Sequence, residues 1–197
     1  MQGPFHRREG QAAEVAGPAL GVIELSSVAR GMVVADAMVK KAPVELVFAR
    51  PVSSGKLVVI VTGEVADVEE AMGAAIETAQ ATLVDRLLLP QAADSLLAAL
   101  RRHAPAPGAA DAVGIFETFS VASTLLAADC AAKAARVELA ELRLADGLGG
   151  KAYFIVAGEQ ADVEAAMFAA EHITATGMLL AREVIARPHE DLLKHLR

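Results

Sequence analysis

A single cysteine, Cys130, occurs in 197 residues. No disulfide can therefore close within the chain, and one copy cannot build a multi-cysteine metal site. Tryptophan is absent and aromatics make up 4%, which leaves the core to Ala, Val, Leu and Ile. Basic charge is in short supply: 18 Lys and Arg against 25 Asp and Glu give a net charge of −7. That is the wrong sign for a surface that must displace counterions from nucleic acid. No uncharged apolar run of about 18 residues exists, so no membrane span is expected. Residues 1–17 carry charges and lack the apolar stretch of a secretory signal. What is present is 54% hydrophobic residues and a mean hydropathy of +0.42. These are enough for one large domain or two of roughly 90 residues each, in a reducing compartment.

The chain is written twice. Ala19-Leu20-Gly21-Val22-Ile23-Glu24 returns 93 positions later as Ala112-Val113-Gly114-Ile115-Phe116-Glu117. The same shift aligns Ser27-Val28-Ala29 with Ser120-Val121-Ala122, Ala35-Asp36 with Ala128-Asp129, and Lys40 with Lys133. Beyond a loop the shift becomes 95, and there Gly63-Glu64-Val65-Ala66-Asp67-Val68-Glu69 matches Gly158-Glu159-Gln160-Ala161-Asp162-Val163-Glu164. A duplication of this kind governs the whole fold. The organisation it suggests is a mobile tail (1–18), one unit (19–102), a stiff Pro/Gly connector (103–111) and a second unit (112–197).

Each unit reads alike. A short apolar strand, Leu20 to Leu25, runs into Ser26-Ser27, a suitable helix N-cap. A helix follows with Val28, Met32, Ala35 and Val39 near a 3.6 spacing, and Pro43 ends it. The strand Val44 to Ala49 leads to a loop over Arg50-Pro51-Val52-Ser53-Ser54-Gly55. The strand Leu57 to Val61 is continuously apolar, as when both faces are covered. A second helix opens near Asp67, followed by a strand from Leu83 to Leu89 and a short helix after Pro90. The order β-α-β-β-α-β is a split βαβ arrangement. The expected fold class is thus α/β (α+β), two tandem split-βαβ (ferredoxin-like-related) units, each a four-stranded antiparallel sheet with two helices on one side.

No convergent acid, base and nucleophile set emerges, so no catalytic residue is assigned. His6, His103, His172, His189 and His195 have no counterparts in the other copy and no metal spacing; they read as solvated surface, and no metal site is expected. Cys130 stands inside a helix where copy one has Ala37, as a small buried hydrophobe. An iron–sulfur site on an oligomer axis would instead need its thiol on an axial loop, so no cofactor is expected. Glu24 and Glu117 interrupt apolar strands, where a carboxylate is costly unless paired; a partner across a domain or subunit seam is expected. Lys40 and Lys133 end helices, as favourable solvated caps or as contact residues. Ser53-Ser54-Gly55 and Asp146-Gly147-Leu148-Gly149-Gly150 match no phosphate loop and join strand to strand. They are plain hairpin turns, or loops placed on a symmetry axis where small residues allow close approach.

These residues together resemble a known family, the shell proteins of bacterial microcompartments, which carry the BMC domain. The likeness rests on Leu20-Gly21-Val22-Ile23-Glu24, on residues 35–46, on Ser53-Ser54-Gly55-Lys56, on residues 63–69, and in copy two on Ile185-Ala186-Arg187-Pro188-His189. Two such domains in ordinary strand order resemble the tandem, trimer-forming subclass. The resemblance implies a homotrimer shaped as a flat pseudohexagon, tiling with hexameric shell proteins and pentameric vertex proteins in a bacterial cytoplasmic microcompartment. It implies passage of small metabolites through a central pore lined by Ser53, Ser54, Gly55, Asp146, Gly147, Leu148 and Gly149. It also implies tile-edge contacts at Lys40, Lys133 and Arg187. Copy one has Leu89-Pro90 where copy two has Arg187-Pro188, so half the edges would lack the arginine. The competing reading is a tandem small-molecule-binding regulator, since split βαβ units also serve as sensors.

Overall fold

The computed structural model describes residues 17–101 and 110–196. Most of the expected tail and connector, with His6 and His103, lies outside these residues. The first half runs β1 (Ala19–Leu25), α1 (Val28–Lys41), β2 (Glu45–Val52), β3 (Lys56–Gly63), α2 (Val65–Ala79), β4 (Leu83–Leu89) and α3 (Asp94–Leu100). The second runs β5 (Ala112–Thr118), α4 (Val121–Ala134), β6 (Glu138–Arg143), β7 (Ala152–Gly158), α5 (Gln160–Ile173), β8 (Leu179–Ala186) and α6 (Glu190–Leu193). The sheets have orders β2-β3-β1-β4 and β6-β7-β5-β8, and every pairing is antiparallel.

Local chemistry sets the helix starts. Ser27 Oγ accepts the Arg30 N–H at 3.2 Å and Ser120 Oγ accepts the Ser123 N–H at 3.0 Å, each satisfying a first-turn donor. α1 stops at Lys41, just ahead of Pro43. One expectation needs correction: Arg50, Pro51 and Val52 are not loop but the end of β2, and only Ser53–Gly55 forms the turn. Pro51 can sit there because β2 is an edge strand, where a missing N–H need not break a ladder bond.

In the first half, alternate residues divide the two faces of the sheet. Ile23, Leu25, Leu57, Val59 and Val61 pack under α1 and α2 with Val34, Met38, Val68 and Met72. Leu20, Val22, Val58 and Ile60 face the other way, into a cluster that holds Leu96 and Leu97 of α3 and also Phe116, Leu125 and Leu139 of the second half. Both faces of Leu57–Val61 are therefore covered, as the apolar run implied. Gly21 and Gly114 are needed for helix-to-sheet approach. A Cβ at Gly21 would lie 2.9 Å from Met72 Sδ, and one at Gly114 would lie 2.7 Å from the Met167 side chain. In the second half Phe116 and Phe154 stack at 5.3 Å under the helices.

Candidate functional site at the seam between the halves

The two halves meet where α4 lies against β1, β4 and α3, and α3 reaches over β6. Glu24 is fully buried there. Its Oε1 accepts the Ala122 N–H at 2.8 Å from the first turn of α4, and its Oε2 accepts Lys56 Nζ at 2.8 Å. The carboxylate thus meets a cation and the positive end of a helix dipole. Beside it Ser120 Oγ donates to Asp85 Oδ2 at 2.7 Å. Asp129 Oδ1 accepts the Ala93 N–H at 2.7 Å, capping the entry to α3 in trans, while Lys133 Nζ donates to Asp129 Oδ2 at 2.5 Å. The Lys133 ammonium also donates to the Gln91 carbonyl. Charge-assisted bonds thus join one half to the other along the seam.

The corresponding positions elsewhere are bare. On α4, Leu125 is fully buried, while its counterpart on α1, Met32, is 47% exposed. The Asp129 side chain is 7% exposed and that of Asp36 is 57% exposed, although Asp36 binds Lys40 at 2.6 Å just as Asp129 binds Lys133. β4 is partly covered, whereas β8 is exposed along most of its length. Glu117 has Lys151 at 3.4 Å, with no second donor to match Ala122 among the described residues.

The loops between paired strands converge at the same end of the seam. Ser53 N–H donates to the Ala145 carbonyl at 3.1 Å, so the two hairpin tips touch within one chain. Gly150 has φ +91, and a Cβ there would stand 3.4 Å from Ser54 Oγ and 3.6 Å from Lys56 Cε. Ser54 and Ala145 are held at φ +66 and +60, left-handed values that cost a residue with a Cβ on the order of 1 kcal/mol. Asp146, Gly147 and Gly149 are exposed, Leu148 is half-buried, Ser53 is half-buried, and Ser54 and Gly55 are exposed.

A polar trio behind the second loop escaped the sequence reading. Buried Glu141 accepts Tyr153 Oη at 2.8 Å and Arg143 Nε at 2.8 Å. Burial first, and then the Glu141 carboxylate, push the Tyr153 pKa up; Glu141 likewise raises that of Arg143. By strand register the first half has Phe48, Val58 and Arg50 at these places, with the Arg50 guanidinium 5.6 Å from the Phe48 ring centre. The signal available in sequence was that divergence between copies. Asp85 and Ala145 carried no repeat signal either, since β8 has Ala181 opposite Glu117 where β4 has Asp85 opposite Glu24.

Lys40, Lys133 and Arg187 are not brought together: among the described residues no hydrogen bond or ion pair joins any two of them. Lys40 and Lys133 keep side-chain exposures of 73% and 45%. Arg187 is exposed at φ +49, its N–H donating to the Asp111 carbonyl at 2.6 Å. The match of Leu89-Pro90 with Arg187-Pro188 is corrected by register. Leu20 faces Leu89 and Val113 faces Ile185, so Leu89 corresponds to Ile185 and Gln91 to Arg187. Cys130 is half-buried rather than buried, its Sγ 3.6 Å from the Ala169 carbonyl. Burial, then Asp129, raise its thiol pKa. His172, His189 and His195 are exposed.

A BMC domain matches residues 19–92 and again residues 112–188. The chain belongs to the BMC-domain family. Among its relatives is the bacterial microcompartment shell protein PduT of Citrobacter freundii, 40% identical over 179 residues, covering 90% of this chain and 97% of that one. The carboxysome assembly protein CcmO of Synechococcus elongatus is 34% identical over 193 residues, covering 90% of this chain and 68% of that protein. Among solved structures, a microcompartment protein from Desulfitobacterium hafniense superposes with a TM-score of 0.84 at 38% identity, covering 91% of this chain and 99% of that one. The two halves described above are thus tandem BMC domains of mixed α/β type.

Proposed function

We propose that the chain is a structural protein of a bacterial microcompartment shell, in which three copies close into a ring of six BMC domains around a pore. The observation that carries this reading is the mismatch between equivalent helices. Ala29, Met32 and Asp36 of α1 stand exposed at positions that α4 buries against the neighbouring domain. A second copy presenting its β8 and α6 to α1 would repeat the seam already made within the chain. Glu117 would then receive the Ala29 N–H, Asp36 the His189 N–H, and Lys40 the carbonyl of Arg187. Repetition of one heterologous contact closes a ring when the rotation permits, and covering Met32 and its neighbours contributes at about 25 cal/mol per Å².

In that ring the touching tips, Ser53–Gly55 and Asp146–Gly149, line the opening with backbone N–H groups and hydroxyls suited to small polar metabolites. The outer perimeter, with Lys40, Lys133 and Arg187, meets hexameric and pentameric shell proteins. Residues 1–18 and 103–111 serve as tail and connector, and the role is non-catalytic. The similarity to PduT, a shell protein along nearly its whole length, supports the assignment.

The test is assembly. Light scattering of the purified protein should give three chains per particle, and electron microscopy should show hexagonal layers. A stable monomer or dimer without layers, together with saturable metabolite binding by calorimetry, would replace this reading with a ligand-binding regulator.

A further inference from the structure

The ionisable side chains on the converging loops are few: Lys56, Asp146 and Lys151 across residues 52–56 and 144–151. Lys56 is spent on buried Glu24 at 2.8 Å, and Lys151 is drawn to Glu117 at 3.4 Å. Both lysines therefore point back to the strand β1 or β5 rather than out to the tips. The next cations behind the loops are likewise engaged. Arg143 Nε lies 2.8 Å from Glu141, and the Arg50 guanidinium sits over Phe48, further from the turn along β2. Asp146 is different. It is exposed at the tip, follows Ala145 at φ +60 and precedes Gly147 at φ +73, and it has no ion-pair partner among the described residues.

We propose that Asp146 is the charge filter of the pore, admitting cationic and neutral polar solutes and holding back small anions such as carboxylates and phosphate esters. This rests on the threefold ring proposed above, which sets three Asp146 carboxylates around one opening while the lysines nearby stay neutralised by their partners. Fields of one sign in a narrow, low-dielectric passage are focused, and a ring of carboxylates discriminates by charge. The domain-one tips contribute Ser53, Ser54 and Gly55, which hydrogen-bond but carry no charge. Net selectivity therefore lies with the second loop.

The experiment is single-channel recording of the full-length protein in a planar bilayer under a KCl gradient, with trimer formation checked by light scattering for each variant. Wild type should show a reversal potential on the potassium side, largest at low salt because added ions screen the carboxylates. D146N should bring the reversal potential close to zero, D146K should invert its sign, and R50Q should leave it where it was. Channels whose reversal potential ignores D146N and D146K would overturn the charge filter and leave the pore standing. So would a shift in R50Q as large as that in D146N. Trimers that never conduct, in wild type or any variant, would overturn the pore reading itself and this proposal with it.

Discussion

The carboxylate of Glu24 accepts the backbone N–H of Ala122 at 2.8 Å, from a residue 98 positions further along the chain. Its other oxygen is held by Lys56, whose side chain is only 15% exposed. Removing one partner of a buried pair is worse than removing both, because the remaining charge keeps its desolvation cost. Lys56→Met should therefore destabilise the chain by about 3–5 kcal/mol. Glu24→Gln retains an acceptor for Ala122 and should cost less. Urea denaturation of both variants measures the difference, and equal losses would mean that the pair contributes nothing beyond its hydrogen bonds.

At the proposed seam between chains, Ala181 stands where the seam within the chain has Asp85 bonded to Ser120 at 2.7 Å. Ala181→Asp would offer Ser27 of the next copy the same acceptor. One added hydrogen bond is worth about 0.5–1.5 kcal/mol, so trimer dissociation should move to lower protein concentration by several-fold. Analytical ultracentrifugation reads this directly, and an unchanged midpoint would argue that α1 does not meet β8.

Lys40 and Lys133 are the exposed ammonium groups at equivalent helix ends. Replacing both with Ala should leave trimers in solution and abolish layers under the electron microscope. Because Lys133 also ties Asp129 and the Gln91 carbonyl across the inner seam, the single Lys133→Ala variant should lower the melting temperature at any protein concentration, whereas Lys40→Ala, which acts at the seam between chains, should lower it only where trimers form. Persistent layers in the double variant would remove these lysines from the tile edge.

Leu148 is the large apolar side chain on the second loop, half-buried between glycines with positive φ. Leu148→Gly should widen the opening and raise single-channel conductance. Gly150→Ala should act differently: its φ of +91 and the Ser54 Oγ at 3.4 Å make the substitution strained. About 1 kcal/mol of stability should be lost, read by thermal melting, before any effect on conductance.

Tyr153 is the single tyrosine in a chain without tryptophan, so absorbance near 295 nm reports its ionisation alone. Burial, then the bond to Glu141, hold its pKa above the ordinary value. Since the folded value is raised, its contribution to stability is complete below the ordinary value of about 10 and is lost as pH rises through the folded value. Glu141→Gln should bring the spectroscopic midpoint down, because an anionic neighbour disfavours phenolate. A midpoint that stays put would assign the shift to burial alone.

Much of this architecture could be read from the linear order of residues. The 93- and 95-residue shifts, the Ser27 and Ser120 caps, and the continuous apolar run at Leu57–Val61 are local or repeated signals, and strand and helix formation answers to such signals. Glu24 and Glu117 stood out because a carboxylate in an apolar strand demands a partner, although its identity as the Ala122 amide was not legible. The partner belongs to a helix nearly a hundred residues away, and sequence periodicity carries no information on which surfaces meet.

The sequence by itself determined the unit and its doubling, because periodicity, capping and turn chemistry act within a few residues of one another. Only the tertiary structure decided which copies of those repeated side chains are used. Asp129, Leu125 and Ser120 are buried while Asp36, Met32 and Ser27 wait at the open edge. Near-identical stretches of sequence thus have unequal fates. The physical reason is that desolvation and hydrogen-bond satisfaction depend on what lies across the seam, and a single chain supplies that neighbour to α4 but not to α1.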